Sequence, residues 1–270
     1  GEEIMNAERI PPGEFLEVIC ARRRKKLREA EAVVSLAEIR RRAGSAPPPR
    51  GFRDCLETAE GISVIAEIKR ASPSAGVFKQ GLLPASLAEI YQFAGARAIS
   101  VLTEEDFFLG RPGDLTAVRD RVDLPLLRKD FILDPYQVYE SRALGADAVL
   151  LIVAILTPER LRELLRITGE VGMDALVEVH RESEVGIALE AGAVLIGVNN
   201  RNLHDFTVNL EVAVQLAGRI PASVTRVAES GIRTREDIDV LRKAGYRSFL
   251  IGETLVRSEN PARTLRELVS

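Results

Sequence analysis

The sequence is poor in cysteine and histidine, and this scarcity excludes several classes of protein. Cys20 and Cys55 are the only cysteines among the 270 residues, which excludes a disulfide framework and suits a reducing cytoplasm. His180 and His204 are the only histidines, and neither lies near a cysteine in the chain. A zinc site of the common Cys/His type is therefore not expected, and no metal site is predicted.

Long apolar runs and an excess of basic residues are also missing. No apolar run approaches the roughly 20 residues of a membrane-spanning helix, and the N-terminal stretch lacks the apolar region of a secretory signal. A net charge of −3 argues against general nucleic-acid binding. The basic cluster at 22–26 has acidic neighbours and is interpreted as a solvated helix face. These features predict a soluble, cytoplasmic protein with neither a membrane nor a nucleic-acid partner.

The pattern of apolar residues predicts a helical segment followed by alternating strands and helices. Helical spacing over 13–43 ends at the turn sequence GSAPPPRGF. Eight runs rich in Val, Ile and Leu then follow as predicted strands, at 63–69, 98–104, 125–131, 148–154, 175–180, 194–199, 225–230 and 248–253. Helices are predicted between them at 86–96, 137–146, 157–172, 181–193, 209–220 and 234–246.

Strict alternation of strands and helices predicts a parallel sheet. Eight repeats within about 210 residues favour a closed (β/α)8 barrel over an open doubly wound sheet, and no G-x-G-x-x-G follows the first strand. The predicted fold class is therefore α/β, a (β/α)8 TIM barrel with an N-terminal helical extension. Residues 1–270 are predicted to form a single domain, of which 1–60 is the extension.

Two charges interrupt the first strand, SVIAEIK at 63–69. Side chains two residues apart share a face of a strand, so Glu67 and Lys69 lie on the same face as Ile65, and the other face is apolar. Unpaired buried charges are destabilising by several kcal/mol. The two charges are therefore either a structural ion pair or part of a polar site.

Similar polar residues end four further strands. The set is Glu67 and Lys69, Lys129 and Asp130, Glu178 and His180, Asn199 and Arg201, and Glu229 and Ser230. Active sites of such barrels lie at the C-terminal ends of the strands, so the recurrence predicts a site there. Lysines close to glutamates in a partly enclosed barrel mouth can have the shifted pKa values that an acid/base pair requires.

The last two strands are followed by glycine-containing loops, AESGIRTRED and LIGETLV. Barrels of this type often bind phosphate in these two loops. Gly231 and Gly252 would let backbone N–H groups approach an anion, and the helix starts beyond them add positive dipole ends. Glycine is also the ordinary residue of tight strand-to-helix turns, so the pair supports a phosphate site without establishing one.

Seven motifs resemble one enzyme family, indole-3-glycerol phosphate synthase. They are VIAEIKRASPS, SVLTEEDFFLG, PLLRKDFI, LVEVH, GVNNRNL, VAESGI and FLIGETLV, in order and with suitable spacing over nearly the whole chain. The helical extension before the first strand is also similar to that of the family. Ala75 and Val256 depart from the lysine and methionine that are frequent in the family, outside the catalytic set.

The resemblance implies an enzyme of tryptophan biosynthesis that needs no cofactor and no metal. The implied substrate is 1-(2-carboxyphenylamino)-1-deoxyribulose 5-phosphate, which undergoes ring closure, decarboxylation and dehydration. By family position, Lys129 is the general acid and Lys69 pairs with the substrate carboxylate. Glu178 is the base or acid of dehydration, and Glu67 and Asn199 position the hydroxyl and the lysines. How these groups divide the proton transfers stays open at this point.

The resemblance also implies which residues hold the substrate. Phosphate would lie among the backbone and side chains of Ser72, Ser230, Gly231, Gly252 and Glu253, with Arg201 near the site. Phe108, Phe131 and Leu203 would line the pocket for the anthranilate ring, although core packing is the simpler interpretation of these three. The expected partner is a small phosphorylated molecule. The oligomeric state stays open, with a monomer as one option.

Two alternatives compete with this interpretation. Phosphoribosylanthranilate isomerase shares the fold and the terminal phosphate loops but would require a Cys and Asp acid/base pair, and no cysteine ends a strand here. A barrel that binds phosphorylated ligands without turnover would be recognised by loss of a catalytic residue. Fold alone does not separate these functions, because this architecture supports many chemistries.

Overall fold

Eight parallel strands close into a barrel in the computed structural model, which describes residues 13–270. The barrel strands are β1 (Ser63–Ile68), β4 (Ala98–Leu102), β5 (Leu126–Lys129), β6 (Ala148–Ile152), β7 (Asp174–Val179), β8 (Leu195–Asn199), β9 (Thr225–Glu229) and β10 (Ser248–Ile251). Each pairs with its neighbours in the order β1-β10-β9-β8-β7-β6-β5-β4. The predicted (β/α)8 barrel and all eight predicted strands are confirmed.

Helices connect the strands and form the outer layer. They are α4 (Pro84–Phe93), α5 (Pro112–Arg119), α6 (Pro135–Ala143), α7 (Pro158–Glu170), α8 (Glu182–Glu190), α9 (Glu211–Ala217), α10 (Arg235–Lys243), α11 (Glu253–Arg257) and α12 (Pro261–Val269). The six predicted helices are confirmed within a few residues at each end. The helix start expected beyond Gly252 is that of α11. Sequence patterns did not predict α5, α12 or the short hairpin β2 (Ala71–Ser72) and β3 (Gly76–Val77) in the loop after β1.

Three helices precede the barrel, α1 (Phe15–Val33), α2 (Leu36–Ser45) and α3 (Phe52–Glu57). The single helical segment predicted over 13–43 is interrupted because Ser35 starts a new helix, its Oγ accepting a hydrogen bond from Glu38 N at 3.3 Å. The helical extension is confirmed. Its predicted span of 1–60 begins in residues 1–12, which lie outside the described residues, so the domain boundary stays a prediction.

The extension contacts both ends of the barrel. Phe15 of α1 packs edge-to-face on Phe107, which lies in the loop after β4 at the C-terminal end of the barrel. At the opposite end, the backbone N–H of Arg53 in α3 donates to Asp174 Oδ2 at the start of β7, at 2.9 Å. Phe52 is fully buried in the same cluster as the barrel interior. The extension therefore adds apolar surface to the C-terminal mouth, where a site was predicted.

Alternation along the strands separates two cores. The inward side chains form one cluster that includes Ile65, Leu127 and Leu250, whereas Val64 and Ala66 belong to the layer between strands and helices. The predicted alternation in β1 is thus confirmed. No helix within residues 13–270 has the length and apolar character needed to cross a membrane.

Candidate active site

A cavity of about 420 Å³ opens at the C-terminal ends of the barrel strands. Every residue that the resemblance assigns to catalysis or substrate binding lines it, whereas His180 and Glu229 of the strand-end set do not. The charged and amide side chains are Glu67, Lys69, Lys129, Glu178 and Asn199; the candidate phosphate and polar contacts are Ser72, Arg201, Ser230, Gly231, Gly252 and Glu253; the apolar residues are Phe108, Phe131 and Leu203. The barrel therefore brings together residues that are up to about 190 positions apart, because parallel strands end at one rim.

Glu67 joins the two lysines at the floor of the cavity. Its Oε1 lies 3.0 Å from Lys69 Nζ and its Oε2 lies 3.0 Å from Lys129 Nζ. Burial raises the pKa of Glu67, but Lys129 and Lys69 outweigh burial and lower it to about 2. Ser100 Oγ donates a further hydrogen bond to Oε2 at 3.4 Å. Glu67 is therefore a fixed anion that orients both ammonium groups toward the cavity.

Lys129 is held in its charged form by the acidic side chains around it. Burial lowers the pKa of Lys129, but Glu67, Glu229 and Glu178 outweigh it and raise the pKa above the ordinary value. The Nζ lies 3.6 Å from Glu229 Oε2. An ammonium group is therefore present at neutral pH, in the protonation state that a general acid requires.

Glu178 and Asn199 lie side by side on β7 and β8. Asn199 Nδ2 donates to Glu178 Oε1 at 3.1 Å, and Asn199 Oδ1 accepts from the backbone N–H of Arg201 at 2.9 Å. Burial raises the pKa of Glu178, but His180, Lys129 and Asn199 outweigh burial and lower it. Glu178 is therefore ionised at neutral pH and available as a base.

The loop after β9 has the backbone shape of an anion-binding turn. Ser230 and Gly231 both have positive φ, at 66° and 80°. Within residues 13–270, the backbone N–H groups of Gly231 and Gly252 donate to no backbone carbonyl or side-chain oxygen of the protein. The two N–H groups are thus free to bind an oxyanion at this end of the cavity.

Two side chains near this loop have roles that the sequence did not indicate. The Glu253 carboxylate faces Arg201 at 3.4 Å and Arg257 at 3.0 Å. Because the carboxylate is itself an anion, Glu253 can contact a phosphate favourably only through its backbone N–H. Arg201 also donates to Ser74 Oγ at 3.0 Å, which links it to the loop after β1.

An apolar wall lies at the rim under the extension. The rings of Phe108 and Phe131 are 6.3 Å apart, and Phe15 packs edge-to-face on Phe131 and Phe206 at 6.4 and 5.1 Å. Leu203 completes the lining. A flat aromatic group could stack here beside the charged floor.

Comparison with known proteins identifies the family. The family described as indole-3-glycerol phosphate synthase matches residues 16–268. The chain is 51% identical to the enzyme of that name from Carboxydothermus hydrogenoformans, over 95% of this chain and all of the relative. The chain belongs to the indole-3-glycerol phosphate synthase family. The relatives of that name from Roseiflexus sp. and Syntrophobacter fumaroxidans are 48% and 46% identical, each over 94% of this chain and 97% of the relative.

Family membership confirms the resemblance carried by the seven motifs, and one further carboxyl group lies beside the residues that line the cavity. Glu229 was noted at the end of β9 but was not assigned to the site. Its carboxylate is buried, and neither oxygen has a hydrogen-bond partner. Burial, together with the nearby Glu178 and Glu67, raises the pKa of Glu229 to about 8 against the opposing effect of Lys129. Glu229 is therefore protonated near neutral pH, whereas the nearby Glu67 and Glu178 are ionised.

Gly197 leaves room for the Glu229 side chain, and the sequence contains a signal for this close approach. A Cβ at Gly197 would lie 1.9 Å from Glu229 Oε1, so the neighbouring strand must have glycine there. A glycine in the strand VLIGVN indicates close approach of another group. Phe15 gave no such signal, because its helical spacing predicts only packing. Among the described residues, no group of three or more His, Cys, Asp and Glu side chains is arranged to hold a metal ion.

Proposed function

We propose that the cavity converts 1-(2-carboxyphenylamino)-1-deoxyribulose 5-phosphate to indole-3-glycerol phosphate, with Lys129 as general acid and Glu178 as base. The reaction is that of a carboxy-lyase in tryptophan biosynthesis. The observation that carries the assignment of roles is the Glu67 carboxylate, which holds Lys69 and Lys129 at 3.0 Å each beside an ionised Glu178. Two acids and a base are thus present in one cavity.

The cavity has three zones that match the three parts of this substrate. The phosphate is assigned to the backbone N–H groups of Gly231 and Gly252, with Ser72 and Ser230 beside them. The aromatic ring is assigned to the wall of Phe108, Phe131 and Leu203. The ring carboxylate is assigned to Lys69, whose ammonium group Glu67 holds in the same cavity. Holding both ends of an open-chain ketose brings its carbonyl carbon close to the aromatic ring.

Ring closure needs a proton at the ketose oxygen. The ring carbon that bears the carboxylate bonds to the ketose C2, and the carbonyl oxygen takes a proton from Lys129. Loss of carbon dioxide then leaves its electron pair in the ring and restores aromaticity. Because the ionised Glu67 and Glu178 lie near Lys129 and raise its pKa, the ammonium form is regained after each turnover.

Dehydration needs a base and a second acid. Glu178, held by Asn199, removes a proton from C1 of the former ketose, and the C2 hydroxyl leaves as water with a proton from a lysine ammonium. Lys69 lies across Glu67 from Lys129 and is the second ammonium group within reach of this hydroxyl. Glu67 keeps both lysines in place through the two steps.

Turnover of the substrate tests this proposal. The purified protein is mixed with 1-(2-carboxyphenylamino)-1-deoxyribulose 5-phosphate without added metal, and indole fluorescence is followed. We expect the fluorescence to rise with the wild-type protein and to stay at background with Lys129→Ala. Lys243→Ala, at an exposed position on α10, is the matched control and should retain full turnover.

Two results would contradict the proposal. Substrate binding without indole formation by the wild-type protein would leave only a phosphate-binding barrel. Unchanged turnover by a folded Lys129→Ala protein, with folding checked by circular dichroism, would remove the general-acid role of Lys129.

A further inference from the structure

His180 connects the site to a second cavity. It follows β7 directly and lies outside the catalytic cavity, whereas Glu178 two residues earlier lies inside it. A second cavity of about 360 Å³ is lined by His180, Arg181 and Glu184, and it shares Asn199 and Arg201 with the first. The imidazole ring therefore lies between the candidate base and a separate polar cavity.

Each ring nitrogen faces a carboxylate. His180 Nε2 lies 3.3 Å from Glu178 Oε1, and His180 Nδ1 lies 3.4 Å from Glu184 Oε2. Both nitrogens are enclosed, and both contacts are at ion-pair distance without the alignment of a hydrogen bond. A neutral imidazole has one nitrogen lone pair, which would face a carboxylate at close range. The imidazolium form has an N–H on each side and is the one that this arrangement favours.

Glu184 lies in the first turn of α8, and its carboxylate is held in place. It is 4% exposed, and it accepts hydrogen bonds from the backbone N–H of His180 and from Arg181 Nε, both at 2.7 Å. The Glu184 carboxylate is thus fixed to the backbone of the residue that carries the ring. Burial lowers the pKa of His180, but Glu178 and Glu184 outweigh burial and raise it to about 10.

We propose that His180 is a positioning residue for Glu178: as an imidazolium between Glu178 and Glu184, it keeps the Glu178 carboxylate ionised and fixed in orientation for proton removal. This role rests on the proposed function of Glu178 as base. Other charged groups surround the pair: Lys129 on β5 and Glu229 on β9 beside Glu178, Arg181 beside the ring, and Arg201 and His204 across the second cavity. Of these, only Lys129 and the ring lower the pKa of Glu178 by their charge.

Kinetics of a His180→Gln variant test the role. Glutamine has an amide N–H but no charge. A positioned acid/base group contributes about 10²–10⁴-fold to the rate, and loss of the positioning cation should remove part of this, so kcat should fall by about tenfold to hundredfold. KM should stay within a fewfold, because His180 lies outside the catalytic cavity. The acidic limb of the kcat–pH profile should move up by about one unit or more, because a cation within 4–6 Å lowers a carboxyl pKa by that amount.

The other histidine supplies a matched control. His204 is exposed, so His204→Gln should keep the wild-type kcat and pH profile. With only two histidines in the chain, ¹⁵N spectra of histidine-labelled protein assign both rings when His204→Gln removes one set of signals. At pH 8 the His180 ring should show two protonated nitrogens, and in Glu184→Gln its titration should move to lower pH.

The outcomes separate this role from the proposed function. A wild-type protein that forms no indole would reject the proposed function. Normal wild-type turnover together with a His180→Gln protein of unchanged kcat and pH profile would reject only the role of His180. A neutral His180 ring at pH 8 in the wild-type protein would also reject it, even if His180→Gln did not fold.

Discussion

Three consecutive residues at the end of β5 belong to two different charged networks. The inner network joins Lys129 to Glu67 and Glu229, and the outer network joins Arg128 and Asp130 to Glu140 and Arg23. Lys129 meets Glu67 inside the barrel, whereas Arg128 reaches Glu140 on α6, and Asp130 at the rim meets Arg128 and Arg23 of α1. Arg128 donates to Thr103 Oγ1 at 3.0 Å, to Glu140 Oε2 at 2.7 Å and to Asp130 Oδ2 at 3.3 Å, so each of its guanidinium nitrogens has a partner. In the outer network both Asp130 oxygens and all of the Arg128 nitrogens are thus paired, and the buried Nε of Arg23 lacks a hydrogen-bond partner.

The inner network is left incomplete by the protein. Both carboxylate oxygens of Glu229 lack hydrogen-bond partners. Among the described residues, Lys129 is the only cation in ion-pair contact with Glu229, with its Nζ 3.6 Å from Oε2. Glu67, Glu178 and Glu229 crowd the same rim. A complete network of buried charges adds specificity and rigidity, whereas an incomplete one retains interactions that a substrate can still make. The comparison indicates that the outer network serves folding and the inner network serves turnover.

The largest expected effect lies in the inner network. Glu178→Gln keeps the shape of the side chain and its contact with Asn199 but removes the base. We expect kcat to fall by about 10²–10⁴-fold with KM changed only a fewfold, as for loss of a positioned acid/base group. Steady-state kinetics by indole fluorescence give both constants, and urea unfolding gives the stability. A variant altered in KM alone would place Glu178 in binding instead of catalysis.

The outer network should respond in the opposite way. Asp130→Ala removes the acceptor shared by Arg23, Arg128 and Thr103 and leaves two arginines buried without it. We expect the free energy of unfolding to fall by about 3–5 kcal/mol, as for a broken buried ion pair. Urea unfolding followed by circular dichroism measures this loss. Equal stability of Asp130→Ala and the wild-type protein would contradict a folding role for the outer network.

Gly252→Ala tests how closely the inner network is packed. A Cβ there would lie 2.5 Å from Glu67 Oε1, whereas φ at this residue is −122° and alanine can adopt it. The Glu67 carboxylate must therefore move, which costs about 1–3 kcal/mol of strain. Since about 1.4 kcal/mol corresponds to a tenfold change in rate, kcat/KM should fall about tenfold to hundredfold. Gly186→Ala, where a Cβ meets nothing within 4 Å, is the control. Equal kcat/KM in both variants would show that Glu67 has room to move.

The sequence predicts the barrel and most of the cavity because both follow from local periodicity. The inward direction of Glu67 and Lys69 needs only the two-residue repeat of a strand, and the common rim follows from parallel strands. Arg128 lies in a run that is correctly predicted as a strand, yet nothing local shows that it is fully buried. Its partners Thr103 and Glu140 lie on other elements and are known only after the helices pack.

Two other features escaped the sequence for the same reason. Phe15 reaches the cavity from a helix that precedes the barrel, and the residues it meets lie about 90 to 190 positions later in the chain. Glu229 stands at a strand end like its neighbours, but its protonation depends on the distances to Glu178 and Lys129. Residue type and spacing determine which side chains reach the rim, whereas their charge states depend on three-dimensional contacts.

A further expected effect is a change of stability with pH that depends on the charge state of Glu229. Its pKa is about 8 in the folded protein and 4.5 as an ordinary glutamate, so the folded state binds more protons between these values. The stabilisation linked to this proton is complete below pH 4.5 and is lost as pH rises through 8, by up to about 1.4 kcal/mol per pH unit. The side chain at this position is neutral at every pH in Glu229→Gln. The free energy of unfolding of this variant therefore does not fall with rising pH through this group.

The stability of Glu229→Gln relative to the wild-type protein should therefore increase from pH 5 to pH 9. Urea unfolding at pH 5, 6.5, 8 and 9 measures the difference, and Glu190→Gln, at an exposed position of α8, should show no such trend. A difference that stays constant with pH would mean that Glu229 is ionised throughout. The inner network would then hold three carboxylate charges, and it would differ from the outer network in net charge as well as in its unpaired carboxylate oxygens.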